Sequence, residues 1–329
     1  MLAEKGANAL FVPIIPRPAQ PADGRHFAQR TLAGARTGKR TFAPRAVFLA
    51  RRSPAKNGLD FFRAGGANSA RLYANSARPR NKLNTAGGMC VDGKIDVLRG
   101  WIAASDNIVF FGGAGVSTES GIPDFRSVDG LYNQQWDYPP ETILSRTFFD
   151  RDPEEYYRFH HAKLVVDGVK PNRAHLRLAG LEREGKLKAV ITQNIDGLHQ
   201  AAGSKNVLEL HGSILRAYCT KCRAPYPAER MNHCEGVPHC DVCGGIVRPD
   251  IVLYEEPLDQ RIMERALDYI QNAEVLIIGG TSLGVYPAAG LIHYYRGSKL
   301  ALVNLSETPY DRYADLVIHE KIGEVFSQV

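Results

Sequence analysis

The sequence has no apolar run close to the roughly 20 residues that a membrane-spanning helix requires, and no secretory signal precedes its cysteines. Acidic residues are scarce at one end: residues 1–88 hold 16 Lys or Arg and only three acids, whereas the rest holds 25 basic and 32 acidic residues. Although the whole chain has a net charge of +6, residues 89–329 contain more acidic than basic residues. They therefore lack the excess positive charge that is typical of a nucleic-acid-binding domain. These absences predict a soluble, cytoplasmic protein that contacts neither a membrane nor nucleic acid directly.

Residues 1–88 also lack any sustained period of 2 or 3.6, and they are rich in Ala, Arg, Gly and Pro. Such a segment cannot bury enough apolar surface to offset its ordering entropy. Three interpretations stay open: a disordered basic tail, a transit-peptide-like leader, or translated sequence upstream of the true start. Met89 directly precedes the first helical pattern, which favours the last of these, and residues 89–329 are expected to form the folded domain.

A glycine-rich turn within residues 107–127 lacks the third glycine of the dinucleotide fingerprint, because Thr118 stands at that position. Residues 107–111 are the β-branched and aromatic residues of a buried strand, and residues 112–115 follow as Gly-Gly-Ala-Gly. Residues 117–120 offer capping oxygens for the start of a helix. A strand, a glycine turn and a helix N-terminus together predict a pyrophosphate-binding turn. The missing glycine argues against an ordinary dehydrogenase.

Strand and helix patterns alternate over the rest of the chain. The predicted strands are residues 187–192, 207–210, 251–254, 275–278 and 300–305. The predicted helices are residues 91–104, most of 142–167, 258–272 and 287–295. This alternation predicts an α/β fold with a parallel sheet that helices cover on both faces.

Five of the six cysteines lie between residues 219 and 243, and four of them form two CxxC pairs separated by 17 residues. The pairs are Cys219–Cys222 and Cys240–Cys243, the pattern of four thiolates around one tetrahedral zinc. A closed four-cysteine site leaves no open coordination position, so the zinc is expected to be structural. Two incidental thiol pairs or a redox motif remain the alternative. Three further candidate ligands are not expected to bind the zinc, because the CxxC pairs already supply four ligands: Cys234, His233 and His239.

Polar residues follow several predicted strands at the point where each strand ends. Residues 193–196 read Gln-Asn-Ile-Asp, His211 follows the next strand, and residues 280–282 and Asn304 follow the last two. A helix cap for Asn194 and Asp196, or a structural histidine at 211, would explain each feature separately. Because the carboxyl ends of parallel strands meet at one edge, these turns together predict a single crevice.

In order and combination, these motifs resemble those of the sirtuins, the NAD-dependent protein deacylases, over about residues 91–329. The longest matching motif is residues 113–126, which read Gly-Ala-Gly-x-Ser-x-x-Ser-Gly-Ile-Pro-Asp-Phe-Arg. The other matching motifs are Gln193-Asn194-Ile195-Asp196, His211-Gly212, the CxxC pairs and Gly280-Thr281-Ser282-Leu283. It implies a Rossmann-like parallel sheet domain with a small zinc-ribbon module inserted at about residues 213–248. NAD and an acyl-lysine peptide would enter the cleft between them.

The resemblance also implies a role for each matched position. The NAD site would be lined by Ala114, Thr118, Gln193, Thr281, Ser282, Asn304 and Ile322. Phe125, Ile195 and Asp196 would form the nicotinamide pocket. Arg126 and Asn194 would order the loop and the ribose side of the site.

The chemistry that the resemblance implies begins when the acyl-lysine carbonyl oxygen attacks the ribose carbon that bears nicotinamide. His211 would be the general base on a ribose hydroxyl, and water would complete the transfer. The products would be free lysine, nicotinamide and O-acetyl-ADP-ribose, so NAD is a co-substrate and no hydride moves. Proteins that carry acetyl-lysine are the expected partners.

Two features bear on the peptide and acyl group. Residues 251–254 and 284–286 are predicted to present strand edges to which a substrate backbone adds. Tyr254-Glu255-Glu256 replaces the Phe-Gly-Glu of many sirtuins, which alters the cleft rim. Tyr132 is followed by Asn133-Gln134-Gln135 without a cation, which favours neutral acyl groups over acidic ones.

Two other functions stay open. One is a protein mono-ADP-ribosyltransferase that uses the same NAD pocket, against which an intact His211 argues. The other is a zinc-ribbon nucleic-acid-binding protein with a basic amino-terminal arm, against which the acidic balance of residues 89–329 argues.

Overall fold

The structure, a computed structural model, describes residues 90–125, 130–131, 136–165 and 167–329. The interpretations of residues 1–88, of Arg126 and of residues 132–135 lie outside the described residues. The strands are β1 (Ile108–Gly112), β2 (Leu187–Thr192), β3 (Val207–Glu209), β4 (Gly212–Cys219), β5 (Pro225–Pro227), β6 (Val247–Ile251), β7 (Val275–Gly279), β8 (Leu300–Val303) and β9 (Leu316–Ile318). The α-helices are α1 (Val91–Ala103), α2 (Pro140–Ile143), α3 (Arg146–Arg151), α4 (Pro153–Phe159), α5 (Arg173–Arg183), α6 (Leu198–Ala201), α7 (Glu229–Asn232), α8 (Gln260–Asn272) and α9 (Ile322–Phe326).

Six strands form the main sheet, in the order β3-β2-β1-β7-β8-β9, and every neighbouring pair is parallel. Alternate residues of β1 enter different cores: Val109 and Phe111 pack with α8 on one face, and Ile108 and Phe110 pack with α1, α5 and α9 on the other. All of β1 and β7 is buried, as expected for a parallel sheet with two covered faces. The predicted α/β fold with a parallel sheet is confirmed.

The apolar stripe of α8 illustrates how the pattern produces the packing. Met263, Ala266, Leu267 and Ile270 recur at helical spacing and all four are buried against the sheet. Asp259 caps the helix, because its carboxylate accepts hydrogen bonds from the first-turn amides of residues 261 and 262.

The cysteine-bearing segment forms a second, antiparallel sheet in the order β5-β4-β6. Its apolar face shares a third core with α2, α3, α4 and the π-helix His160–Leu164 that follows them. Phe148, Tyr156 and Tyr157 of these helices are fully or nearly fully buried there. The sequence predicts most of residues 142–167 as helical, but it does not reveal that these helices belong with the cysteine sheet.

Three element predictions differ from the structure. Two short 3₁₀-helices, Ala114–Val116 and Thr118–Ser120, follow β1 in place of an α-helix, and no side-chain cap is formed at either start. The predicted helix at residues 287–295 is a 3₁₀-helix, Ala288–Tyr294. The strand predicted at residues 251–254 starts earlier, at Val247, and ends at Ile251.

Within the described parts of the chain, no helix is both long and apolar enough to cross a bilayer.

Candidate active site

One cleft of about 930 Å³ opens at the carboxyl ends of the parallel strands. The order of the sheet reverses at β1, because the next strand in the chain, β2, lies on one side of it and β7 lies on the other. Such a switch point is the usual ligand crevice of an open α/β sheet. The crevice predicted from the polar strand ends is therefore present.

The glycine turn packs tightly against the end of β7 on one wall of this cleft. Gly115 N donates to the carbonyl of Gly280 at 2.8 Å, and Gly113 N donates to that of Gly279 at 3.3 Å. A Cβ on Gly115 would lie 2.9 Å from the Gly280 backbone, and a Cβ on Gly113 would lie 2.8 Å from the side chain of Thr281. The glycines at 113 and 115 thus allow two strand ends to meet without a side chain between them.

A polar network joins the glycine turn to the end of β2. Ser117 Oγ donates to Asp196 Oδ2 at 2.6 Å, and Asn194 Nδ2 donates to Ser117 Oγ at 3.0 Å. The other carboxylate oxygen of Asp196 accepts from Leu198 N at 2.9 Å, at the start of α6. The helix-cap interpretation is therefore correct for one oxygen of Asp196, while the second oxygen is held toward the turn. Asn194 N donates to Thr192 Oγ1, so both ends of this amide residue are fixed.

Two buried imidazoles lie close to this network. The ring centroids of His175 and His199 are 4.7 Å apart. Burial lowers the pKa of His175 to about 4, although the nearby Asp196 carboxylate acts in the opposite direction, and burial lowers the pKa of His199 to about 3. Both rings are neutral at physiological pH. Neither imidazole therefore places a positive charge beside the Asp196 side chain.

Gln193 spans the neighbouring strand ends. Its backbone N donates to the Gly112 carbonyl at 3.0 Å, and its side-chain Nε2 donates to Thr281 Oγ1 at 3.1 Å. Thr281 Oγ1 in turn accepts from Leu283 N at 3.1 Å. The ends of β1, β2 and β7 are therefore cross-linked at the bottom of the cleft.

His211 lies between β3 and β4, where the chain passes from the parallel sheet into the cysteine sheet. Its Nδ1 is 2.9 Å from the carbonyl oxygen of Gln193. Because a carbonyl only accepts, Nδ1 carries the hydrogen, and Nε2 of the neutral ring keeps its lone pair. Burial lowers the pKa of His211, and the hydrogen bond to Gln193 opposes this only in part. The neutral ring has the protonation state that a general base requires.

The structure brings the predicted site residues into one place. Twelve of them line the cleft: Ala114, Thr118, Phe125, Gln193, Asn194, Ile195, Asp196, His211, Thr281, Ser282, Asn304 and Ile322. Arg126 lies outside the described residues. Phe125 and Ile195 also pack on the third core, so this end of the cleft has an apolar wall. Ile322 is buried at the start of α9, beyond β9.

The four predicted metal ligands come together in the second sheet. The Sγ atoms of Cys219, Cys222, Cys240 and Cys243 all lie within 4.8 Å of one another, with pairs at 3.5 and 3.6 Å. Four thiolates placed about 2.3 Å from a zinc at tetrahedral corners would lie about 3.8 Å apart. The donor set therefore fits one zinc with no open position. Cys234, His233 and His239 are outside this group of four.

The sequence predicts only a helix-capping role for two cleft residues, Ser117 and Glu119, and the structure gives each a different partner. Ser117 was interpreted only as a capping residue, yet its hydroxyl connects Asp196 and Asn194. Glu119 Oε2 accepts from Gly323 N at 2.5 Å, which ties the glycine turn to α9 beside Ile322. These partners lie 79 and 204 residues away in the chain, and no local pattern reports a contact at that separation.

Comparisons with known proteins give concordant results. A family model described as "Sir2 family" matches residues 113–287. The NAD-dependent protein deacetylase of Clostridium perfringens is 58% identical over 242 residues, covering 73% of this chain and 99% of that protein. The NAD-dependent protein deacetylase of Cutibacterium acnes is 50% identical over 234 residues, covering 70% and 96%.

Solved structures extend this similarity to the fold. A Sir2–p53 peptide–NAD⁺ complex is 40% identical with a TM-score of 0.64, covering 71% of this chain and 96% of that one. A Sir2 structure with the inhibitor EX-527, 2′-O-acetyl-ADP-ribose and deacetylated p53 peptide matches with the same identity, TM-score and coverage.

Proposed function

The chain belongs to the Sir2 family, and from that premise we propose that it is an NAD-dependent protein-lysine deacetylase. It transfers the acetyl group of acetyl-lysine to ADP-ribose and releases nicotinamide, O-acetyl-ADP-ribose and free lysine. NAD is a co-substrate that is consumed in each turnover. One observation carries the proposal: the glycine turn, the Ser117–Asp196 pair and the neutral His211 line the same cleft.

The glycine turn and the ends of β7 and β8 are assigned to the part of NAD other than nicotinamide. The turn at residues 113–115 lines the cleft at the carboxyl end of β1, the usual place for a pyrophosphate, and its glycines let this backbone pack directly on the end of β7. No α-helix begins there among the described residues, so the pyrophosphate would not lie at an α-helix N-terminus. Residues that line the rest of this path are Ala114, Thr118, Gln193, Thr281, Ser282, Asn304 and Ile322.

The Asp196 end of the cleft is assigned to nicotinamide. Phe125 and Ile195 supply apolar surface for a planar ring, and the Asp196 carboxylate can accept a hydrogen bond from the carboxamide. Ser117 and Leu198 N hold that carboxylate in one orientation. Asn194 is placed on the ribose side of the same site. Arg126 keeps the assignment made from sequence, as the residue that orders the adjoining loop.

His211 is assigned as the general base. Its Nδ1–H is committed to the Gln193 carbonyl, which fixes the tautomer and leaves Nε2 to accept a proton from a ribose hydroxyl. Burial keeps the ring neutral near pH 7, so no prior deprotonation is required. The ring is half-buried and lines the cleft.

The cysteine cluster is assigned to one structural zinc, which stabilises the second sheet and has no place for a substrate. In domain terms, residues 89–329 form the catalytic domain, with the zinc module at about residues 213–248 inserted into it. Clustered thiols suit a reducing compartment, which supports a cytoplasmic location. The acidic balance of this region supports protein substrates and no direct contact with nucleic acid or membrane.

The test is nicotinamide release from NAD, with and without an acetyl-lysine peptide, for the wild type and His211→Ala. We expect release only with peptide, formation of deacetylated peptide, and a loss of at least about 100-fold in the variant, as for removal of a general base. His293→Ala is the control, because His293 is an exposed histidine outside the cleft and its replacement should leave activity unchanged.

Two results would overturn the proposal. Nicotinamide release that needs no acetyl-lysine, with ADP-ribose attached to protein, would identify a mono-ADP-ribosyltransferase. No release from folded protein that carries one zinc per chain would indicate a binding protein instead.

A further inference from the structure

Residues 252–256 leave strand β6 and form one rim of the cleft. Within this rim, Glu255 has a φ of 75°, in the left-handed region. Residues other than glycine enter that region only where surrounding contacts hold them. The rim therefore contains an unfavourable backbone conformation that its contacts must offset.

Those contacts run to the N-terminus of α3. Thr147 N and Thr147 Oγ1 both donate to Glu255 Oε2, at 2.9 and 2.6 Å. Arg146 N donates to the carbonyl of Tyr254 at 3.0 Å, and Tyr254 N donates to the carbonyl of Leu144 at 2.9 Å. The rim thus satisfies two of the first-turn amides of α3. A helix of six residues has little stability alone, so the rim and the helix stabilise each other.

The next residue, Glu256, is held mainly by Arg248 of β6. Glu256 accepts from Arg248 Nη1 and Nη2, at 2.7 and 2.9 Å, and from Leu253 N at 2.9 Å. Arg248 is 1% exposed. Burial raises the pKa of Glu256, but the hydrogen bonds from Arg248 and Leu253 outweigh it and the net shift is downward. Glu256 is half-buried and also accepts from Arg146 Nη1 of α3 at 3.3 Å, whereas Glu255 is exposed and its carboxylate is the outer attachment of the rim.

We infer that Glu255 is a positioning residue for the peptide substrate. Its hydrogen bonds to Thr147 hold the rim backbone in the conformation that an incoming acyl-lysine peptide must meet. A rim that is ordered before binding costs less entropy when the peptide adds to it. This inference rests on the proposed function, because it requires the peptide to enter beside residues 252–256. Glu255 contacts no reacting group, so it acts on peptide binding and not on the chemical step.

Three variants separate the hydrogen bonds, the backbone conformation and the charge. Glu255→Gly removes the attachment but relieves the left-handed strain, Glu255→Ala removes the attachment and keeps the strain, and Glu255→Gln keeps an oxygen acceptor without the charge. We expect the peptide KM to rise about three- to tenfold in the Gly and Ala variants, the factor that loss of one or two ordinary hydrogen bonds gives. The NAD KM and kcat should stay within about twofold, because these quantities do not depend on the rim. Glu255→Gln should remain within about twofold of the wild type in every constant.

Glu235→Gln is the charge control, since Glu235 is exposed and lies outside the cleft. An unchanged peptide KM in both the Gly and Ala variants would overturn the inference. So would an equal rise in the peptide and NAD KM values, which would indicate a general loss of structure. A peptide KM that rises as much in Glu255→Gln as in Glu255→Gly would show that charge and not positioning is responsible.

Hydrogen–deuterium exchange provides a readout that does not need catalysis. The amides of Arg146, Thr147 and Tyr254 should exchange faster in Glu255→Gly and Glu255→Ala than in the wild type or Glu255→Gln. If these amides exchange faster in the variants but the wild type shows no NAD-dependent deacetylation, the hydrogen bonds of Glu255 to Thr147 are supported and the proposed function is rejected. Unchanged exchange together with normal deacetylation would reject the attachment alone.

Discussion

The two sheets of this protein are stabilised in different ways. In the parallel sheet, β1 and β7 are buried along their whole length between two separate apolar cores. In the antiparallel sheet, β5 is largely exposed and the loop between the second pair of cysteines carries Val242 at 78% exposure. Apolar burial stabilises the first sheet along its whole length, whereas the second sheet combines a smaller apolar core with four thiolates placed to hold one metal ion.

The proposed active site lies where the two sheets meet. His211 follows β3 of the first sheet, and Gly212 begins β4 of the second. Arg216 ties them together, because its guanidinium donates to Glu209 Oε2 at 2.8 Å and to Asp250 Oδ2 at 3.1 Å. The proposed general base therefore depends on both sheets, and the following four changes test this dependence.

The largest effect is expected from loss of the metal. Cys240→Ser, or chelation of the wild type, should disorder the antiparallel sheet and abolish activity, since metal binding supplies about 10–16 kcal/mol in small zinc domains. The parallel sheet should remain folded. Metal content, activity and hydrogen–deuterium exchange by segment measure the three consequences. Cys90→Ser, an exposed cysteine outside the cluster, should change none of them, and uniform unfolding of both sheets would contradict the comparison.

Next in size is a change at the junction. In Gly212→Ala the new Cβ would lie 1.9 Å from the Asp250 carbonyl, at a φ of 75°. We expect a loss of about 3 kcal/mol or more in the free energy of unfolding, from steric overlap added to backbone strain. Gly185→Ala is the matched control, because its φ is 76° and no atom lies within 4 Å of the new Cβ. It should cost only about 1 kcal/mol, the strain alone. Both free energies of unfolding can be measured with denaturant. Equal losses in the two variants would show that the structure relieves the steric overlap at residue 212.

A smaller effect, confined to function, is expected from Ser117→Ala. Asp196 would lose one of its hydrogen bonds, so kcat/KM should fall about tenfold or more, as for a lost hydrogen bond to a charged group. Ser120→Ala is the control within the same turn, since the buried Ser120 hydroxyl makes no hydrogen bond among the described residues. Its activity and thermal stability should equal or exceed those of the wild type. Equal losses in the two variants would show that any serine replacement damages the turn.

The smallest effect concerns pH. Because burial lowers the pKa of His211, the acid limb of the activity profile should have its midpoint below 6.5, the ordinary histidine value. The free energy of unfolding should also decrease as the pH is lowered from 6.5 to the pKa of His211 in the folded protein. In this range the unfolded chain binds more protons than the folded protein does. Activity must be measured where circular dichroism shows a folded protein. A midpoint at or above 6.5 would contradict the buried, neutral ring.

Much of the parallel sheet is predictable from local patterns. The strand predicted at residues 187–192 coincides with β2, and the predicted starts at Val207, Val275 and Leu300 coincide with those of β3, β7 and β8. Runs of β-branched and aliphatic residues specify such strands because both faces are buried. The turn after β1 was not predictable in the same way. Its serines and threonines also suit a helix cap, and only the partners Gly280 and Asp196 select the 3₁₀ conformation that is found.

Local sequence patterns specify the apolar runs that build the parallel sheet, the CxxC spacing that brings four thiolates together, and the glycines that permit close packing at the turn. These are properties of neighbouring residues, so they can be read from a few positions at a time. Tertiary structure alone decided that Ser117 holds Asp196, that the Gln193 carbonyl sets the tautomer of His211, and that Thr147 holds Glu255. Those partners are 18 to 108 residues apart in the chain. They meet only because the order of the strands and the docking of α3 bring their backbones together.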